Sequence, residues 1–241
     1  MLKKYVISGD IIEVYEYSQY CTGKGGAHRT TSKSEDIEQS LKNYANTNQR
    51  RRDTVRRLAC SNFNAQYDKF FTLTFADNKT DVKECNYLFK KFMQKLKYKL
   101  KIDIKYLAVI EFQKRGAVHY HVLSNIPYIP QNELQELWGN GFVYINAISH
   151  VDNIGAYIVK YMTKDNTDER LQGLKAYLYS RNLRKSEQYI NHNLKEFDKL
   201  ESKIKEKYNF NSDNLVYESE FDTELLGSCD YKQYNLKRKK E

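Results

Sequence analysis

Hydrophobic residues along the chain recur with a period of two in several short runs and with a period near 3.6 in others, which separates strands from helices. Residues 3–18, "KKYVISGDIIEVYEYS", give two β-branched and aromatic runs around Ser8, Gly9 and Asp10 and predict a β-hairpin. Further strands are predicted over 69–75 ("KFFTLTF"), 105–112 ("KYLAVIEF"), 117–123 ("AVHYHVL") and 141–146 ("GFVYIN"). Ser32 and Glu35 form a capping box that opens a long helix reaching about Leu58. In residues 80–100, Leu88, Phe92, Leu96 and Leu100 fall at steps of four beside Phe89 and Met93, the pattern of an amphipathic helix with a lysine-rich outer face. Residues 131–138 and 150–165 predict two more helices, the second despite Gly155. Beyond Asp165 the pattern weakens to a strand at "KAYLYS" and a charged helix over 186–207.

Charge adds a partner to this picture. The 241 residues carry a net charge of +9, an excess that attracts polyanions, and nucleic acid is the expected one. Arg50, Arg51, Arg52, Arg56 and Arg57 cluster in "QRRRDTVRR", and the planar guanidinium fork suits phosphate. These five are the candidate DNA-binding residues. No apolar run approaches a membrane span, and the N-terminus lacks the apolar core of a signal peptide, so a cytoplasmic protein without a membrane partner is expected. The four cysteines are scattered and read as reduced thiols. The "GKGG" stretch lacks the phosphate-loop pattern, and no ATPase motif is present.

Candidate chemistry begins at His119 and His121, which share one face of a strand because side chains alternate. Glu111 precedes His119 by eight residues. If the two strands are joined by the three-residue loop Lys114, Arg115 and Gly116, with Gly116 in the left-handed conformation, then Glu111 sits directly across from His119 on the same face. A loop one residue longer or shorter would send Glu111 to the other face. Two imidazoles and one carboxylate are a mixed donor set suited to Mn²⁺, Mg²⁺, Co²⁺ or Zn²⁺.

Tyr157 and Tyr161 lie four residues apart in "AYIVKYMTK", each followed by a lysine three residues on, Lys160 and Lys164. On an ideal helix both phenols line the border between an aliphatic seam at Ile154 and Ile158 and the lysine stripe. A nearby cation favours phenolate, and Tyr157 lies angularly closer to both lysines, which makes it the expected first nucleophile.

Glu111, His119 and His121 on paired strands, followed by a helix carrying Tyr157, Lys160, Tyr161 and Lys164, resemble the HUH endonucleases, specifically the rolling-circle replication initiators of small plasmids and single-stranded DNA phages. The resemblance covers roughly residues 69–165, with "FFTLTF", "HYH" and "YIVKY" as its motifs. It implies an α+β fold with a central antiparallel sheet and flanking helices, to which the weaker C-terminal pattern adds a helical extension. The implied organisation is an N-terminal hairpin and basic helix (1–60), an endonuclease core (61–165) and a C-terminal extension (166–241). The implied activity is metal-dependent nicking of single-stranded origin DNA, with Mn²⁺ or Mg²⁺ as cofactor and a host helicase and polymerase as partners. A tyrosine would attack to leave a 5′-phosphotyrosine and a free 3′-OH. A relaxase or single-strand transposase would share this chemistry, whereas a noncatalytic binding protein would present sheet aromatics such as Tyr120 to bases.

Overall fold

The computed structural model describes residues 2–19, 37–162, 169–171, 173–191, 194–223 and 226–238. It is an α+β protein with two five-stranded antiparallel sheets and five α-helices among these residues. Contacts group residues 40–184 into one compact unit and residues 1–39 with 185–241 into another. No described helix is long and apolar enough to cross a membrane. Ser32, Glu35 and Cys21 lie outside the described residues, while Cys60, Cys85 and Cys229 are free thiols.

In the first of these units, α1 (Ile37–Asn62) precedes β3 (Lys69–Leu73), α2 (Val82–Leu100), β4 (Tyr106–Phe112), β5 (Val118–Ser124), α3 (Gln131–Trp138), β6 (Val143–Asn146), α4 (Ile154–Val159) and β7 (Tyr177–Tyr179). The strands are ordered β6-β3-β5-β4-β7, which puts β5 at the centre. Alternation along β5 sends Tyr120 to one face, where its ring stacks on Phe89 of α2 at 4.8 Å and its hydroxyl donates to Asn86 Oδ1. Phe71, Phe92 and Trp138 complete that side of the core, and Tyr120 is fully buried. Tyr120 therefore cannot present its ring to bases, contrary to the expectation for a noncatalytic binder; helix α2 covers the face it occupies.

His119 and His121 take the opposite face, together with Phe70 and Thr72 of β3, and α4 packs there through Tyr157 and Tyr161. Helix α4 is held against α1 at Gly155, where a Cβ would stand 2.5 Å from Cys60 Sγ and 2.6 Å from the Arg56 carbonyl oxygen. Only the missing side chain lets the two helices approach so closely. Gly155→Ala should therefore destabilise the protein by about 1–2 kcal/mol. Overpacking costs about 1–3 kcal/mol and outweighs the helix-propensity gain of about 1 kcal/mol, because a backbone carbonyl cannot swing aside. Thermal melts check this, with about 3 °C lost per kcal/mol in a chain of this size.

Helix α4 is shorter than the 150–165 span expected from the sequence. Asn153 caps its start by accepting from the Ala156 amide at 2.9 Å. Beyond Val159 the amides of Lys160, Tyr161 and Met162 bond to carbonyls three residues back, so the chain tightens out of the α-helix.

The other unit begins with the expected hairpin, β1 (Leu2–Ser8) and β2 (Ile11–Tyr17). The C-terminal region was expected to be a helical extension, yet it supplies three strands as well as one helix. These are β8 (Glu187–Asn191), α5 (Leu194–Tyr208), β9 (Leu215–Thr223) and β10 (Gly227–Asn235). Strand β8 pairs with β1, and β10 with β2, because both edges of an isolated hairpin need partners for their amides and carbonyls. Ile204 of α5 and Phe210 close a core over Tyr5, Ile7, Ile12 and Val14.

Candidate active site

The turn between β4 and β5 sets the geometry. Gln113 N–H donates to the Ala117 carbonyl at 2.8 Å, and Gly116 at φ 91° turns the chain, closing the loop of Lys114, Arg115 and Gly116. Such a φ is open to glycine at little cost. The register that results pairs Glu111 with His119 and Phe112 with Val118. One ligand atom from each of Glu111, His119 and His121 then lies within 4.8 Å of the others.

The three side chains sit in different surroundings. His121 is buried, its Nε2 is 2.5 Å from Glu111 Oε2, and its Nδ1 is 3.1 Å from Thr72 Oγ1. Glu111 keeps 30% of its side chain exposed, enough to meet an incoming ligand. His119 Nε2 is buried and has no hydrogen-bond partner among the described residues. An orphaned imidazole nitrogen beside a carboxylate and a second imidazole suits a divalent cation, which would supply the missing partner. Burial, reinforced by His121 and Arg115 against the opposing pull of Glu111, lowers the His119 pKa to about 4. His119 is consequently neutral at physiological pH, the protonation state in which imidazole ligates metal.

This shift has a stability consequence. An unfolded histidine titrates near 6.5 and this one near 4, so within that window the unfolded chain binds the extra proton and stability falls as pH drops. Urea denaturation in EDTA, at pH values on either side of the window, should show a smaller acid loss in His119→Gln than in the unaltered protein.

The tyrosines meet this cluster from α4. The Tyr161 ring stacks on His121 with centroids 3.9 Å apart and on Phe70 at 5.3 Å. Phe70 also meets Tyr157 edge-on at 5.1 Å, and the Tyr161 hydroxyl donates to the Tyr157 hydroxyl at 3.4 Å. Lys160 Nζ lies 5.4 Å from the centre of the Tyr157 ring. Burial raises the Tyr161 pKa, and the bond to Tyr157 and the charge of Glu111 push it the same way. Lys164 lies outside the described residues.

The arginine cluster has a different setting from the one its sequence suggested. Arg50 is exposed, but Arg51, Arg52, Arg56 and Arg57 are half-buried. Arg52 donates to the carbonyl of Met162, Arg51 to that of Leu174, and Arg56 pairs with Asp53 at 3.2 Å. Arg52 thus ties α1 to the residue that follows Tyr161. The apolar positions Val55, Leu58 and Ala59, all buried, draw the flanking arginines toward the sheet, a spacing readable in the sequence. Thr72, Phe70 and Gly155 were not singled out as site residues. A threonine inside the apolar run "FFTLTF" was the available sign of the first.

Residues 68–166 match a family model described as a replication-associated protein of the ORF2 type. The matched segment contains β3, the β4–β5 hairpin and α4, and so every residue of the histidine, carboxylate and tyrosine cluster. It connects this part of the chain with replication-associated proteins. Comparison with curated proteins gave no match, and neither did comparison with solved structures.

Proposed function

We propose that the protein is a replication initiator that nicks single-stranded DNA through a tyrosine nucleophile and rejoins strands by reversing the step. The observation that carries this reading is the stacking of Tyr161 on His121 at 3.9 Å, which puts a tyrosine pair against a cluster suited to a divalent cation. The replication-associated family match over the same residues supports it.

Glu111, His119 and His121 would hold the cation, with Mn²⁺ or Mg²⁺ the ions favoured when a carboxylate and phosphate oxygens share the coordination. Bound there, the ion would place positive charge on the non-bridging oxygens of the scissile phosphate and orient it. Tyr157 attacks phosphorus: its phenolic proton is lost, the O–P bond forms, the P–O3′ bond breaks, and the 3′ oxygen takes up a proton. The products are a 5′-phosphotyrosine and a free 3′-OH able to prime synthesis. One phosphodiester bond replaces another, so no nucleotide is hydrolysed and the step is reversible. Lys160, close to the Tyr157 ring, favours its phenolate. Tyr161, whose neutral form is stabilised by burial, is suited to the second transfer, after movement away from His121. Residues of the basic helix, Arg50 foremost among them because it is exposed, would contact phosphates; the other four arginines are half-buried.

The test is direct. The protein is incubated with pooled single-stranded oligonucleotides, with Mn²⁺ or with EDTA, and resolved in SDS. A protein–DNA adduct that carries a label on the 3′ side of the nick, and forms only with the metal, supports the reading. Its absence across metals and pools overturns it.

A further inference from the structure

The edge strand β6 carries two aromatic rings that the proposed nicking step does not use. Tyr144 stands opposite Thr72, and Phe142 is bonded through its backbone to Thr74, so both rings share the face that bears His121. Tyr144 is 54% exposed and Phe142 is 49% exposed, while Val143 between them is buried on the other face. Along the rest of the His121 face the aromatics are occupied: Phe70 lies under Tyr157 and Tyr161, and Tyr177 on the far edge strand bonds to Thr54 of α1. Exposure returns on both flanks of His121, at Glu111 on one side and at Tyr144 on the other.

We propose that Tyr144 and Phe142 are a stacking platform for unpaired bases of the single strand whose phosphate lies at Glu111, His119 and His121, an inference whose location rests on the nuclease reading. Strand β6 is two strands from β5, roughly 10 Å across the sheet, a reach of a nucleotide or two. Two rings at positions i and i+2 of a strand project side by side. Every base has a π-face, so such rings bind a single strand without reading its sequence. Phe142 offers no hydrogen bond, so the recognition is by stacking, and the Tyr144 hydroxyl is dispensable to it. The net charge of +9 supplies long-range attraction for the backbone but cannot position a base. The platform would fix how the strand enters the site.

The probe is a fluorescein-labelled oligothymidylate of roughly 16 nucleotides, followed by anisotropy in EDTA so that binding is read without cleavage. Tyr144→Ala and Phe142→Ala should each raise Kd about tenfold. Tyr144→Phe should keep the original Kd, as should Tyr98→Ala, an 86% exposed tyrosine on α2. In Tyr144→Trp the added indole should lose emission when the oligonucleotide binds, against the constant background of buried Trp138. Original Kd values in both alanine variants with no change in indole emission would overturn the platform, and metal-dependent adduct formation in those same variants would leave the nuclease reading standing. Loss of binding in the alanine variants, with no adduct formed by the unaltered protein, would keep the platform and remove the nuclease.

Discussion

Tyr157→Phe together with Tyr161→Phe should abolish the covalent protein–DNA adduct, lowering its rate of formation by at least about 10³-fold, the scale of losing a covalent nucleophile. The single changes should separate the two phenols. Tyr157 has Lys160 Nζ 5.4 Å from its ring centre and accepts the hydrogen bond from Tyr161, both of which favour its ionised form. Tyr161 lies deeper, stacked between His121 and Phe70, where burial holds its proton. Tyr157→Phe should therefore remove most first-strand cleavage, and Tyr161→Phe should leave cleavage in place but slow transfer to a second strand. Adduct formation on a labelled oligonucleotide, and joining of that adduct to an unlabelled 3′-OH acceptor, measure the two steps separately. Equal loss of cleavage in both single variants would contradict this division of labour. Since phenylalanine keeps both rings and their contacts with Phe70, folding should not change, and circular dichroism checks that.

The second large effect concerns the cation. Glu111→Gln keeps the shape of the side chain but removes the only carboxylate of the cluster, and it should weaken Mn²⁺ binding by more than about 100-fold, beyond what losing an outer hydrogen-bonding partner costs. Titration calorimetry gives this without any nucleic acid present. Affinity should also fall as pH drops, because a cation displaces protons from the nitrogens and oxygens it occupies. Unchanged affinity in Glu111→Gln would remove Glu111 from the ligand set. A one-residue deletion in the loop from Lys114 to Gly116 should have a comparable effect by another route, since it turns Glu111 toward α2.

The part of this arrangement that was legible in the sequence is the part built by local rules. Alternation along "AVHYHVL" and the left-handed requirement at Gly116 were enough to pair Glu111 with His119, because register in a short hairpin follows from the loop alone. The α2 pattern likewise produced the observed helix, with Phe89, Phe92, Met93 and Leu96 buried. What escaped depended on partners distant in the chain. The C-terminal strands take their place from β1 and β2, which lie more than 170 residues away in sequence, as the pairing of Tyr5 with Tyr189 shows. Helix α4 ends early because of backbone bonds to carbonyls three residues back, which a 3.6-residue period does not foresee. Gly155 counted against that helix in the sequence, yet its lack of a side chain is what admits the neighbouring helix. The arginines of α1 read as a phosphate comb until burial of Val55 and Ala59 turned several of them toward backbone carbonyls.

Thr72 carries one more consequence. A hydroxyl both gives and accepts a proton, so the contact at His121 Nδ1 survives whichever ring nitrogen is protonated. When His121 spends its Nε2 proton on Glu111, Thr72 donates; when that nitrogen turns its lone pair outward, Thr72 accepts instead. The imidazole can thus switch tautomers in place, with neither a ring flip nor a stranded nitrogen, and loading and unloading the pocket becomes a matter of turning one C–O bond.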